Sequence, residues 1–260
     1  MTARDSARCL GISLDELSEW QCCGAVFPLA TDAIINLVSP FRTLASAHEA
    51  GVDLVTLCSG CLNVLRRTNK LVATDAEIRK KLEDFVEMSY GGERRVFHLL
   101  EVLRDTVGFD RLAEKVVNPL ENTKVAPYYG CLLLRPREDM EFDDPDRPVI
   151  MGEFLQALGA ETVSHPFQTE CCGSYLSVSS GDKTQEAATA VLRSAARAGA
   201  QWLVTSCPTC LYNLELAAAS LDEPPRLVYF TQLLAHALGQ DAHLGEDGGT
   251  LPKNVMAEVN

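Results

Sequence analysis

The chain has 260 residues, 47% of them hydrophobic, which is enough to bury the core of one large domain or two ordinary ones. Its net charge of −13 argues against nucleic acid or an anionic membrane surface as the main partner. No stretch approaches the roughly 18–20 apolar residues that span a bilayer, and no secretory signal is recognised, so we predict a cytoplasmic protein without a membrane span.

Ten cysteines are the most informative residues of the sequence. In a reducing cytoplasm, such cysteines indicate metal ligation or redox chemistry rather than disulfides. Free cysteines are often small buried hydrophobes, but residues of that kind would be scattered. Here they form clusters, and the clusters repeat.

The first cluster combines Cys22-Cys23-Gly24 with a CxxC motif at Cys58 and Cys61. Residues 50–57 predict a helix that closes at Gly51, followed by a short buried strand. The CxxC motif falls where that strand ends and the next helix begins. A helix N-terminus stabilises thiolates and lowers the pKa of a thiol.

The second cluster repeats this pattern with Cys171-Cys172-Gly173 and a CxxC motif at Cys207 and Cys210. In both halves 34 residues separate the cysteine pair from the CxxC motif, and the flanking sequences also match. We therefore predict an α/β protein of two pseudo-symmetric domains, 1–120 and 121–240. Each should hold a small, mostly parallel sheet flanked by helices.

The two halves differ where they begin. The second half has a fifth cysteine, Cys131, at the end of another predicted strand and separated from Cys171 by 39 residues. Only 12 residues separate Cys9 from Cys22, and the flanks align Cys9 with Ala157 on a helix. We predict that Cys9 lies on the equivalent helix of the first unit and that its side chain packs there. The alternative is that Cys9 is a relocated ligand. Either the chain starts further upstream or the first unit is naturally shortened.

Three features lie outside the repeat. Residues 135–148, acidic and containing prolines, predict an exposed loop of the second domain. Residues 241–260 predict a tail that is poorly ordered or binds a partner. His165, before the second cysteine pair, is a candidate proton donor, although packing is the commoner role of such a histidine. No nucleotide-binding loop stands out, so flavins and nucleotides are expected on partners.

Soft thiolates suit iron–sulfur clusters and zinc alike. Structural zinc usually takes separated cysteine pairs in tetrahedral geometry, whereas adjacent cysteines point apart and chelate one ion poorly. Adjacent pairs therefore favour an iron–sulfur cluster, most clearly in the second half.

A cysteine, a long gap, Cys-Cys-Gly and CxxC together resemble the CCG motif, which occurs twice in the B subunit of heterodisulfide reductase and its relatives. The resemblance covers nearly the whole chain. In that family each five-cysteine set holds a noncubane [4Fe–4S] cluster, which implies one such cluster at Cys131, Cys171, Cys172, Cys207 and Cys210. A second iron–sulfur cluster, or zinc, is implied at Cys22, Cys23, Cys58 and Cys61, where the fifth cysteine is missing.

The resemblance also implies a catalytic role in a larger complex. A small disulfide would be converted to two thiols, with electrons from the family's ferredoxin-like C subunit and its flavoprotein A subunit. Two clusters suit this reaction because it takes two electrons and a cluster passes one at a time. Two alternatives stay open: a non-catalytic electron-relay or anchoring subunit of a related redox complex, and a zinc-stabilised interaction module.

Overall fold

The computed structural model describes residues 2–25, 27 and 31–240, with the backbone alone at Thr2 and residues 31–33. The predicted tail at 241–260 lies outside the described residues. The helices are α1 (Thr2–Cys9), α2 (Val38–Glu49), α3 (Ser59–Thr74), α4 (Ala76–Val86), α5 (Leu99–Val102), α6 (Phe109–Glu114), α7 (Arg137–Met140), α8 (Ile150–Ala157), α9 (Gly181–Arg197), α10 (Pro208–Ala218) and α11 (Phe230–Ala237). The strands are β1 (Leu54–Thr56), β2 (Val96–His98), β3 (Lys124–Tyr128), β4 (Glu161–Thr162), β5 (Trp202–Thr205) and β6 (Arg226–Tyr229). Short 3-10 segments at Thr31–Leu37 and Ser174–Leu176 and a π-helical turn at Leu103–Val107 complete the elements.

The described residues form two compact units. The N-terminal unit contains Leu14–Val102 and Leu132–Pro145, and the C-terminal unit contains the remaining segments 2–13, 103–131 and 146–240. This division differs from a single cut at residue 120, because each repeat contributes a segment to the unit built mainly from the other. The repeat boundaries 1–120 and 121–240 therefore stay a prediction.

The C-terminal unit is built on a four-stranded sheet in the order β4-β3-β5-β6. All of its strand pairs are parallel, and the strands are short. Parallel sheets need cover on their faces, and here α8 packs on β3 while α10 packs on β5, β6 and α9. Leu203, Leu214 and Leu227 are among the residues of the resulting core.

The N-terminal unit has a smaller sheet, the parallel pair β1-β2, in which Val55 is opposite Phe97. The helix α3 follows β1 directly, and α2, α4 and β2 pack against it. Phe41, Leu62 and Leu82 are almost fully buried in these contacts. The predicted fold class, two units with small parallel sheets flanked by helices, is confirmed.

The helices α1 and α8, which precede the two cysteine pairs, end in the same way. The amides of Leu10 and Gly11 donate to the carbonyls of Ser6 and Arg8, just as those of Leu158 and Gly159 donate to Phe154 and Gln156. Both glycines take the positive φ that this closing turn requires. Cys9 and Ala157 are thus the equivalent last residues of α1 and α8, as the alignment of the flanks predicts.

The predicted packing role of the Cys9 side chain is wrong. Cys9 is exposed, and its Sγ accepts a hydrogen bond of 3.1 Å from Gln240 Nε2. The helix as a whole packs on α11 through its other face, where Ala7 and Leu10 are buried. Cys9 is therefore helical, but its side chain is exposed to solvent.

The prediction of an exposed loop at 135–148 is also wrong. Residues 132–145, here called the arm, belong to the N-terminal unit, although they follow the first strand of the second repeat. Their helix α7 packs on α3, and Met140 and Phe142 are buried. The acidic and proline-rich composition predicts exposure, but these apolar residues are buried because the arm packs on α3, which is distant in sequence.

Polar contacts from α3 hold the arm in place. Asn63, itself buried, donates through Nδ2 to the carbonyl oxygens of Leu132 at 2.9 Å and Arg135 at 2.7 Å. Farther along the same helix, Asp139 of the arm accepts from Lys70 at 2.5 Å and lies 3.3 Å from Arg67 Nε. Asp139 is therefore paired with a basic face of the helix.

His165 is buried in the C-terminal unit, with 3% of its surface exposed. Its Nδ1 lies 3.3 Å from Ser194 Oγ on α9, and it also hydrogen-bonds with the backbone of Pro127. Burial lowers the pKa of His165 to about 4. The ring is therefore neutral at physiological pH and packs between a helix and the sheet.

Replacing Asn63 by alanine is expected to destabilise the protein by about 1–3 kcal/mol, because two arm carbonyls lose their donor. Urea unfolding of the full chain under anaerobic conditions measures the change. The matched control is Asn36→Ala, since Asn36 is exposed, and it should stay within about 0.5 kcal/mol of the parent protein. Equal effects of the two substitutions would contradict the role given to Asn63.

The pKa of His165 predicts a loss of stability in weak acid. The unfolded state, with a His pKa near 6.5, binds a proton that the folded state does not bind until about pH 4. The free energy of unfolding therefore falls as the pH drops from about 6.5 toward 4. The expected loss between pH 7 and pH 5 is about 2 kcal/mol. A His165→Gln variant should lack this component in urea unfolding at the two pH values; a slope equal to that of the parent protein would contradict it.

Candidate metal centre

Two cysteines of the second repeat follow neighbouring strands. Cys131 comes three residues after β3, and Cys207 comes two residues after β5. The strands pair in parallel with Tyr128 opposite Thr205, so both cysteines leave the sheet at its carboxyl edge. In open α/β sheets this edge is the usual place for a binding site.

The loop that carries Cys171 and Cys172 is tied to the end of β3. The amides of Tyr129 and Gly130 donate to the carbonyl of Gln168 at 2.9 and 3.2 Å. Burial raises the pKa of Tyr128 well above its usual range, so its hydroxyl remains protonated and donates to the carbonyl of Glu170 at 2.8 Å. These hydrogen bonds hold Cys171 and Cys172 at the same edge of the sheet as Cys131.

Gly173 allows the loop to pass close to α9. Its φ is +82°, and a Cβ there would stand 2.8 Å from Thr184 Cα, too close for any other residue. Thr184 Oγ1 donates to the Gly173 carbonyl at 3.0 Å. The Gly173 amide donates to Cys171 Sγ at 3.3 Å.

The structure brings all five cysteines of the second repeat together through their sulfurs. The Sγ atoms of Cys172 and Cys210 are 3.3 Å apart. Further thiol hydrogen bonds join Cys171 to both Cys131 and Cys172, and Cys210 to Cys207. Cys172, Cys207 and Cys210 are buried, whereas Cys131 and Cys171 are half-buried, so the set is reached from one side.

The pKa shifts of Cys131, Cys171 and Cys210 run in different directions. Hydrogen bonds from Cys131 and Cys172, together with the amides of Gly173 and Ser174, lower the pKa of Cys171 to about 2. The bond with Cys171 raises the pKa of Cys131, and hydrogen bonds with Cys172 and Cys207, followed by burial, raise that of Cys210. Without a metal, negative charge therefore concentrates on Cys171.

Asn213 is a residue of the site that was not predicted from the sequence. It lies on α10 and is 2% exposed, and its Nδ2 donates to Cys172 Sγ at 3.6 Å. Hydrogen bonding with Cys171 raises the pKa of Cys172, and the Asn213 amide acts in the opposite direction. The signal in the sequence that could have indicated this role is a polar residue on the largely apolar helix after the CxxC motif.

His165, the predicted proton donor, contacts Ser194 and Pro127 rather than a sulfur.

The first repeat builds part of the same arrangement in the N-terminal unit. Cys58 precedes α3 with φ −124° and ψ 127°, close to the −128° and 117° of Cys207 before α10. The Sγ atoms of Cys23 and Cys61 are 3.3 Å apart, and a thiol hydrogen bond joins Cys61 to Cys58. These two contacts, Cys23 first, raise the pKa of Cys61.

Cys22, the fourth predicted ligand of this set, stands apart from the other three. Its side chain is exposed, while its carbonyl accepts a hydrogen bond from Ser39 Oγ. The equivalent Cys171 is instead held by a contact with Cys131. Three sulfurs, those of Cys23, Cys58 and Cys61, therefore converge here.

Within residues 2–25, 27 and 31–240, no group of three or more His, Cys, Asp or Glu side chains is arranged to hold a metal ion as it stands. The contacts between thiols account for this. Two thiolates bound tetrahedrally at about 2.3 Å stand roughly 3.8 Å apart, more than the 3.3 Å between Cys172 and Cys210. Ligation would spread the sulfurs by a few tenths of an ångström. Five soft donors, with amide groups aimed at two of them, suit an iron–sulfur cluster.

In the described part of the chain, no helix is long and apolar enough to cross a membrane.

Relatives of known name are similar along most of the chain. It is 33% identical over 240 residues to the 8-methylmenaquinol:fumarate reductase membrane anchor subunit of Wolinella succinogenes, covering 88% of this chain and 83% of that protein. It is 28% identical over 243 residues to the B subunit of the ferredoxin:CoB-CoM heterodisulfide reductase of Methanosarcina mazei, covering 88% and 80%. A protein of Archaeoglobus profundus, named as similar to the B subunit of heterodisulfide reductase, is 29% identical over 247 residues, covering 89% and 82%.

A hypothetical protein from Helicobacter pylori has a similar crystal structure, with a TM-score of 0.73 at 14% identity. The match covers 95% of this chain and 47% of that one, and it shows the fold alone. The model of the cysteine-rich domain family, CCG, matches residues 5–66 and 125–215, more than half of the chain and both repeats. The chain therefore belongs to the CCG cysteine-rich domain family.

Proposed function

We propose that this chain is an iron–sulfur redox subunit of a larger complex, of the kind represented by the B subunit of heterodisulfide reductase. The observation that carries the proposal is the continuous contact of five thiols at the edge of the C-terminal sheet. Soft sulfur donors in this number exceed what a single zinc ion takes. The names of the relatives from Methanosarcina mazei and Archaeoglobus profundus support the same interpretation.

The C-terminal set holds a noncubane [4Fe–4S] cluster in this proposal. Its ligands are Cys131, Cys171, Cys172, Cys207 and Cys210. When bound, the cluster supplies one-electron transfer. The protein contributes a rigid edge of sheet, the amide donors of Gly173 and Asn213, and burial of the inner cysteines. Access is left at Cys131 and Cys171.

The N-terminal set holds a second metal centre, an iron–sulfur cluster or zinc. Its ligands are Cys22, Cys23, Cys58 and Cys61. Three of these sulfurs are already in contact, so ligation requires only that the exposed Cys22 turn toward them. A set of four thiolates is the number that structural zinc takes and also suffices for common iron–sulfur clusters.

The reaction we propose is the two-electron interconversion of a small disulfide and two thiols. Breaking the S–S bond takes two electrons and two protons and yields two thiols, so single-electron centres must act together. Electrons would come from a ferredoxin-type C subunit and a flavoprotein A subunit. His165 makes a poor proton donor because burial lowers its pKa to about 4, so its ring is neutral at physiological pH.

All ten cysteines are free thiols, which fits a reducing compartment such as the cytoplasm.

A second candidate function is a non-catalytic electron-relay or anchoring subunit. It is favoured by the 33% identity to a protein named as the membrane anchor subunit of 8-methylmenaquinol:fumarate reductase. The exposed Cys22 points the same way, because an incomplete first set leaves one complete cluster site. A relay needs only that one site, whereas disulfide chemistry needs two electrons at once.

Iron content tests the ligand assignment. Cys171→Ser and Cys207→Ser should each remove the iron of one cluster from anaerobically purified protein, since each takes a thiolate from the five-cysteine set. Cys9→Ser is the matched control and should leave iron unchanged, because Cys9 is exposed on α1. Fewer than about four irons per parent chain, or iron lost from the Cys9 variant, would overturn the assignment.

Oxidation in the presence of a thiol separates the two candidate functions. A catalytic subunit should give an EPR signal that changes when the thiol substrate is added to the oxidised, complete complex, because a sulfur of the substrate reaches the centre. A relay or anchor should give the same signal with and without the thiol. Iron and zinc are measured on the same samples, so a missing cluster is not mistaken for a missing substrate.

A further inference from the structure

Asn213 is an unusual residue for its position. It lies in the middle of α10 and is 2% exposed, although asparagine is a weak helix former and burial of its amide costs free energy unless the amide is hydrogen-bonded. Its side-chain N–H donates to a sulfur, Cys172 Sγ, at 3.6 Å. A buried polar group that bonds with a ligand sulfur calls for an explanation beyond packing.

The internal repeat shows that the fold does not need an amide there. Val64 lies three residues after Cys61 on α3, just as Asn213 lies three residues after Cys210 on α10. Val64 is 1% exposed, so an apolar side chain fills the equivalent place in the first repeat. The cysteine contact beside it is also equivalent, since Cys23 and Cys61 are as close as Cys172 and Cys210.

We propose that Asn213 raises the reduction potential of the metal centre held by the C-terminal cysteines. This inference rests on the proposed function, since it requires a redox-active cluster there. One-electron reduction adds a negative charge, which the ligand sulfurs share. An N–H dipole aimed at the sulfur of Cys172 stabilises the reduced form more than the oxidised form, and in a buried place water does not compensate for its loss.

The two cysteine sets of the chain are then unequal. The C-terminal set has the side-chain donor Asn213, whereas the N-terminal set has valine at that position. Backbone donors exist in both, from Gly173 to Cys171 and from Ala25 to Cys23. Asn213 thus adds a side-chain donor to the C-terminal set, and it acts as a positioning and tuning residue rather than a ligand.

The test is an anaerobic redox titration of the full chain, followed by EPR and visible absorption. Asn213→Val places the residue of the first repeat in the second and should make the midpoint potential more negative. The expected size is about tenfold in the one-electron equilibrium constant, or about 59 mV. The matched control is Asn118→Val, which also removes an asparagine donor of this unit, one bonded to the carbonyl of His236, and should leave the potential unchanged.

Iron content decides which claim fails. Iron retained in Asn213→Val with an unchanged potential overturns the inference and leaves the proposed function standing. A parent protein without iron overturns both. If Asn213→Val does not fold or loads no iron, the parent protein labelled with ¹⁵N-asparagine is examined by pulsed EPR. A ¹⁵N coupling to the centre supports the inference, and its absence overturns it.

Discussion

The site depends on the parallel pairing of β3 with β5. These strands place Cys131 and Cys207 at the same sheet edge, and the loop of the cysteine pair is tied to the end of β3 through Tyr128. A slip of one residue would turn the side chains to opposite faces. The pairing is extended at its start by Lys124 and Gln201, whose backbone and side-chain groups exchange hydrogen bonds of 2.8 and 2.9 Å. Short strands with fixed ends thus set the sulfur positions.

The sequence predicts the parts of the fold that local patterns specify. The spacing of the cysteine pairs and the matching flanks predict the strands, the helices after each CxxC motif and the convergence of five cysteines in the second half. The equivalence of Cys9 and Ala157 was also predictable, because both precede a Leu-Gly that closes a helix. In each case the cause lies within a few residues of its effect.

The parts that escaped prediction depend on contacts distant in sequence. The arm has the composition of a loop, yet Met140 is buried and Asn63 binds the arm's carbonyls. The exposure of Cys22, whose equivalent Cys171 is held by Cys131, is visible only once the sulfurs are placed in space. The role proposed for Asn213 likewise could not be predicted from the sequence, because it rests on the contact between Asn213 Nδ2 and Cys172 Sγ. One scaffold, used twice, thereby surrounds its two cysteine sets with different chemistry.

The exchange of segments between the repeats has a consequence for synthesis. A nascent chain that has emerged only as far as residue 131 carries every cysteine of the first set but lacks the arm that covers α3. The same chain has made α1 long before α11, its packing partner, exists. The first cysteine set is therefore incompletely enclosed until the second repeat is translated. Its enclosure belongs to a late stage of folding.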